Sequence, residues 1–194
     1  MPAPERTSLE AIVSAARALL EAEGLAGVTM QAVADRVGVR APSLYKRVRN
    51  RDELIGLVVE STMRDLGDAV DAAADGEPRG ALARAARAVR AFAHERPAGF
   101  RLVFAPGHDV VLDPDVLGRS SVTVLRLAAE LAGDAHALDA ARTITAWVNG
   151  FVGMELAGAF RLGGDVDEAF EFGLDRLADA IARTDGESDV AAAS

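Results

Sequence analysis

Apolar residues at Leu9, Ile12, Val13, Ala16, Leu19 and Leu20 recur every three or four positions, which gathers them into one stripe along a helix. Thr7 with Glu10 has the form of a capping box before that stripe, and Gly24 offers a left-handed stop after it. A second, short helix is predicted from Thr29 as N-cap through Val33, Ala34 and Val37 to Gly38, with Val28 and Val33 placed as a hydrophobic staple. After Val39-Arg40-Ala41 comes Pro42, whose fixed φ and missing N–H suit the first position of a third helix. Leu44 and Val48, four residues apart, point inward together and leave Ser43, Tyr45, Lys46 and Arg47 on other faces. The pattern is that of a helix-turn-helix, in which the small Ala34 lets the third helix cross closely and Gly38 permits positive φ in the turn. Asn50 with Glu53 is a further capping box, and it opens a fourth helix.

The remaining pattern is also helical. The fourth helix is predicted from Asp52 to about Ala74, with Ile55, Val59, Met63, Leu66 and Val70 as its seam, and Asp75-Gly76-Glu77-Pro78 stops it. A fifth carries Leu82, Ala86, Val89, Phe92 and Ala93 and ends before Pro97; a short sixth runs from about Ala98 to Phe104. Pro106-Gly107 and Asp113-Pro114 bracket a loop before a seventh, through Val116, Leu117, Ser120, Val124, Leu127 and Leu131 to Gly133. An eighth, from about Ala135 to Leu162, is apolar around most of its circumference, and a ninth opens at the box Asp165 to Glu168. The expected fold is all-α, with about nine helices: a helix-turn-helix domain over residues 1–51, a second domain over 52–184, and a disordered tail over 185–194. One chain is too small to cover both of the last two helices. A homodimer through them is therefore expected, with Gly150, Gly153, Gly158 and Gly173 permitting close backbone approach.

Charge sharpens this division. The net charge of −9 over 194 residues argues against a nucleic-acid partner until it is divided along the chain. Residues 1–60 hold eight basic and eight acidic side chains, so the whole excess of acid lies beyond them. Arg36, Arg40, Lys46, Arg47, Arg49 and Arg51 fall in one 16-residue window without a single acid, a local +6 suited to phosphates. No cysteine is present, so disulfides and thiolate chemistry are excluded. Glu155 interrupts the longest apolar stretch, and the first ten residues lack a basic segment followed by an apolar one; no membrane partner and a cytoplasmic location are expected.

Thr29-Met30-Gln31-Ala32-Val33-Ala34, Gly38-Val39-Arg40-Ala41-Pro42-Ser43-Leu44-Tyr45 and Asn50-Arg51-Asp52-Glu53-Leu54 together resemble the head of tetracycline-repressor-family regulators, over about residues 8 to 57. The resemblance implies a ligand-responsive DNA-binding regulator, a four-helix dimer bundle, and a near-palindromic double-stranded operator. Physically, Thr29 sits where a helix N-terminus can hold a phosphate, and Tyr45, Lys46, Arg47 and Arg51 would contact or attract the backbone. Gln31, Arg40 and Ser43 are the candidates for base edges, while Ala41 and Pro42 could pack on a thymine methyl or a sugar. Trp147-Val148-Asn149-Gly150 is similar to a Trp-x-His-Gly signature of a subgroup of these regulators, with Asn149 in the place of the histidine.

A pocket for a small apolar or amphipathic effector is expected among Phe92, Phe100, Phe104, Val124, Trp147 and Phe151, with Asn149 or Glu155 supplying polar recognition. Glu155 needs a partner, and Arg101, Arg119, Arg126 or a ligand could serve. Enzymatic chemistry has no supporting constellation. His94, His108 and His136 are scattered away from metal-ligand spacings, and no Walker, dinucleotide or G-x-S-x-G string occurs, so neither metal nor cofactor is expected. The competing class is a helical small-molecule-binding protein or enzyme whose head no longer binds DNA.

Overall fold

The computed structural model describes residues 8–104 and 114–182. Thr7, the loop from Pro106 to Asp113 with its His108, and the tail beyond residue 184 lie outside the described residues. Nine α-helices are described: α1 (Leu9–Gly27), α2 (Met30–Val37), α3 (Ala41–Leu44), α4 (Arg51–Ala73), α5 (Pro78–Glu95), α6 (Pro97–Phe104), α7 (Pro114–Ala132), α8 (Ala137–Leu156) and α9 (Val166–Ala182), with a 3-10 turn (Asp134–His136) leading into α8. No described helix is long and apolar enough to cross a membrane.

The chain packs as two compact units, one of residues 1–65 with 95–117, the other of residues 66–94 with 118–194. In the first, Ile12, Ala16, Leu19 and Leu20 of α1 meet Val33 and Ala34 of α2, Leu44, Val48, and Leu54, Ile55, Val58 and Val59 of α4 in one apolar core. Each Val, Leu or Ile side chain among them contributes about 1.5–3 kcal/mol by leaving water. Helix α6 joins this unit too, through Leu102 and a polar anchor. The Glu21 carboxylate of α1 accepts the N–H groups of Ala98 at 3.0 Å and Gly99 at 2.8 Å, two of the orphan donors in the first turn of α6. Asp65 of α4 also joins α1 to the start of α6, accepting from Arg17 and Arg96. Burial raises its pKa, and the two guanidinium partners outweigh that and lower it overall. The sequence ends its head at residue 51; the packing carries the first unit further because α6 has its apolar and polar anchors there.

In the second unit, Val70, Ala74, Ala81, Ala85 and Leu127 form a cluster among α4, α5 and α7, and Val124 packs on it. Phe170 and Leu174 of α9 are buried, as are Ile144, Val148 and Val152 of α8. An ion ladder runs between α5 and α9: Arg79 bonds Asp179, Arg87 takes Glu171 with two nitrogens, and Arg90 reaches Asp167.

The ends of α1 and the end of α8 differ from expectation, each for a local reason. Helix α1 is capped by Ser8, whose hydroxyl accepts from Ala11 N–H at 3.1 Å, one residue beyond the predicted Thr7. Gly24 does adopt positive φ (71°), yet a last turn continues to Gly27. Helix α8 stops at Leu156, six residues short of the predicted end. There Gly158, at φ 62°, donates to the Glu155 carbonyl while Ala159 donates to that of Met154, the paired bonds of a Schellman stop.

Candidate functional site

The helix-turn-helix is built by its caps. Thr29 Oγ1 accepts the Ala32 N–H at 3.1 Å and so opens α2. Gly38 closes it at φ 78°, ψ 36°, with Val39 N–H donating to the Ala34 carbonyl at 2.9 Å. Arg40 is the extended residue before α3, Ala41 is the first helical residue, and Pro42 follows in the second position rather than the first. Leu44 and Val48 are buried at 0% and 1% exposure, which turns the opposite face of this segment to solvent. Arg40, Pro42, Tyr45, Lys46 and Arg47 are all exposed there, Tyr45 by 54%, while Ala41 and Ser43 are half-buried. Gln31 is exposed on α2, and its amide nitrogen donates to Asp35 Oδ1 at 2.7 Å.

Arg51, expected from the sequence as a phosphate contact, also binds the head itself: Nε donates to the Val28 carbonyl at 2.7 Å and a terminal nitrogen to that of Leu25 at 2.6 Å. Its fork satisfies carbonyls at the end of α1 and in the connection after it, and so sets the approach of Thr29 to α2. Asn50 Oδ1 accepts the Glu53 N–H at 2.8 Å as predicted, but Glu53 returns to the N–H of Arg49.

The residues expected to line a pocket belong to different packing units. Phe100 and Phe104 lie in the first, with ring centroids 5.1 Å apart. Phe92, Val124, Trp147, Asn149, Phe151 and Glu155 lie in the second. There Trp147 stacks on Phe170 at 5.4 Å, and Phe151 meets Trp147, Phe160 and Phe170 at 5.6, 4.8 and 5.2 Å. Asn149 Oδ1 is buried without a hydrogen-bond partner among the described residues. The partners described for Glu155 are Arg90 and His94. Both its oxygens accept from Arg90, and His94 Nε2 lies 3.2 Å from Oε2. The Arg90 hydrogen bonds hold its pKa below the ordinary carboxylate range against the opposing effect of burial. Arg126, expected to serve Glu155, bonds Glu130 and the Ala74 carbonyl instead.

Two family models match the chain: "Bacterial regulatory proteins, tetR family" over residues 12–58 and "Tetracyclin repressor-like, C-terminal domain" over residues 82–177. Together they span nearly three-quarters of it. The chain belongs to the tetR family of regulatory proteins. An HTH-type transcriptional regulator of Mycobacterium tuberculosis is 34% identical over 111 residues, which are 53% of this chain and 47% of the relative, so the match spans about half of that relative's length. A crystal structure of a possible TetR family transcriptional regulator from Streptomyces coelicolor superposes with a TM-score of 0.69 at 25% identity, over 91% of this chain and 98% of the other. A TetR variant from Acinetobacter baumannii in complex with minocycline gives a TM-score of 0.70 at 25% identity, over 91% and 97%.

Within this TetR-family chain, the N-terminal match ends at residue 58 and so covers the whole helix-turn-helix and the Arg51 clamp. The C-terminal match covers the aromatic cluster and most of the α5–α9 ladder. Sequence reading missed Phe170, Arg90, His94 and Asp167 as neighbours of the candidate site. The ladder had a legible signal: acids at 167, 171, 175 and 179 recur every four residues on α9, and arginines at 79, 87 and 90 share a face of α5.

Proposed function

We propose that this chain is a DNA-binding transcriptional regulator, a repressor released from its operator by a small molecule. One observation carries the DNA reading: the acid-free basic window from Arg36 to Arg51 is folded around the turn so that Arg40, Lys46 and Arg47 face solvent beside the exposed Tyr45. Lys46, Arg47 and Tyr45 anchor phosphates, the α2 N-terminus capped by Thr29 receives another, and Arg40, Ser43 and Gln31 address base edges while Ala41 and Pro42 pack alongside.

Two heads reach successive major grooves about 34 Å apart, which requires a dimer and a near-palindromic site. The seam is formed by α8 and α9. Met154, 50% exposed, shares an outward face with Gly150 and Gly153, two positions where an added Cβ would meet nothing within 4 Å, and Phe172 of α9 is 64% exposed. The effector is apolar or amphipathic. It occupies the body near half-buried Trp147 and Phe151, with the buried, unpartnered Asn149 Oδ1 awaiting a donor from it.

Fluorescence anisotropy of the full chain on random-sequence duplex DNA, from 50 to 200 mM salt, tests the DNA reading. Several phosphate contacts give a log–log slope of about −4 to −6, at about −0.9 per neutralised phosphate. A slope near zero overturns it and favours a ligand-binding protein with an inert head.

A further inference from the structure

Asp35 stands alone electrostatically: between Glu23 and Asp52 it is the single acidic residue, one step before the basic window begins. On a surface that meets phosphates a carboxylate is a cost, so its position calls for a reason. Its Oδ1 takes a hydrogen bond of 2.7 Å from the side-chain amide nitrogen of Gln31, one helical turn earlier on α2, and both residues are exposed. A primary amide has two faces that differ by a flip, one presenting oxygen where the other presents NH2. An ionised carboxylate only accepts, so it holds the amide in a single flip state.

We propose that Asp35 is a specificity-positioning residue that fixes the amide of Gln31 for recognition of adenine in the major groove. With one N–H committed to Asp35, Gln31 keeps its second N–H and its Oε1. Those two groups match the N7 acceptor and the N6 amino donor on the adenine edge. The other flip, with oxygen toward Asp35, would set two acceptors against each other and is excluded. Asp35 thus offsets some general attraction to DNA and gains base discrimination. The proposal rests on the DNA-binding reading above and adds to it the base that Gln31 addresses.

The test is selection of sites from random duplex DNA by the full chain, followed by affinity ratios for the selected site and its single-base variants. Wild type prefers adenine at one pair of each half-site by about tenfold or more. Gln31→Ala abolishes that preference and leaves the others. Asp35→Asn has the same shape but offers either oxygen or NH2, so it releases the flip; the adenine preference falls below about threefold while overall affinity rises with the lost negative charge. Asp35→Glu, again acceptor-only, retains the preference.

A helix-stabilising role alone for the pair would move the melting temperature and leave the base ratios untouched. Unchanged ratios in Asp35→Asn, no effect of Gln31→Ala, or loss of preference in Asp35→Glu each overturn the proposal. Wild type that binds no duplex overturns the DNA reading itself, a separate outcome recorded before any variant is made.

Discussion

At the scale of single residues, the caps were readable and the long-range partners were not. Thr29, Gly38 and Asn50 act on groups within five residues of themselves, so the local string contains the whole interaction. Arg51 acts 23 and 26 residues away, and Glu155 meets Arg90 at a separation of 65; no spacing rule reaches that far. Both long-range contacts can be tested by substitution. Arg51→Ala strips the charged donor from the carbonyls of Leu25 and Val28 at the end of α1 and destabilises the chain by about 1–3 kcal/mol in urea unfolding. Arg51→Lys recovers less than half of that, because an ammonium cannot reproduce the fork; equal stability of all three proteins would contradict the clamp. Glu155 has a folded pKa below its ordinary value near 4.5, owing to its hydrogen bonds with Arg90 first, which outweigh burial, and then to His94. Its contribution to stability is complete above that ordinary value and fades as pH falls through the lowered one. Glu155→Gln therefore costs about 1–3 kcal/mol at pH 7 and shows a shallower loss of stability between pH 5 and 3 than wild type, read from urea midpoints across that range.

Helices are where the sequence was most informative, since a buried stripe and a cap suffice to define one. What it lacked was knowledge of which glycine would be used. Gly158, Gly163 and Gly164 all have positive φ, and α8 takes the first as its stop, leaving Phe160 and Leu162 in the connection to α9 rather than on a helix. Gly173, expected at a subunit seam, also has a role within the chain: a Cβ there would overlap Cζ2 of Trp147. The missing side chain lets the indole seat against α9, where it stacks on Phe170. Gly173→Ala must displace that ring, with an expected loss of about 1–3 kcal/mol and a changed tryptophan emission, there being one Trp in the chain. Native emission and undiminished stability would exclude this packing role. For α6 the polar anchor is the Glu21 carboxylate, which lies on α1 and adds to the helix's own buried Leu102. Glu21→Ala leaves the Ala98 and Gly99 N–H groups without it and lowers stability by about 0.5–2 kcal/mol, whereas Glu21→Gln, which still offers one acceptor, loses less in the same melt.

Over the whole molecule, positive charge and the excess of acid are sorted to different ends of the chain. The basic window lies within residues 36–51, while the acid excess and the exposed Met154 and Phe172 fall beyond residue 61. A molecule so arranged attracts DNA at one place and repels it elsewhere, and on the proposed reading its exposed apolar face is the one that meets a second copy. Phe172 is the sharpest point at which to test this, since its ring is 64% exposed with the Arg176 guanidinium 5.3 Å from its centroid, and it contributes little to the core of its own subunit. Phe172→Asp puts a carboxylate on the proposed seam, where burying it, even beside Arg176, opposite its own symmetry mate carries desolvation and like-charge costs together. Sedimentation equilibrium is expected to find wild type as a dimer at micromolar concentration and the variant as a folded monomer with an unchanged far-ultraviolet spectrum. Because the two heads then act singly, affinity for a palindromic operator drops by about a hundredfold or more while affinity for an isolated half-site is retained. A Phe172→Asp protein that sediments as a dimer places the seam elsewhere; one that is monomeric yet binds the full operator undiminished breaks the link between dimer and operator.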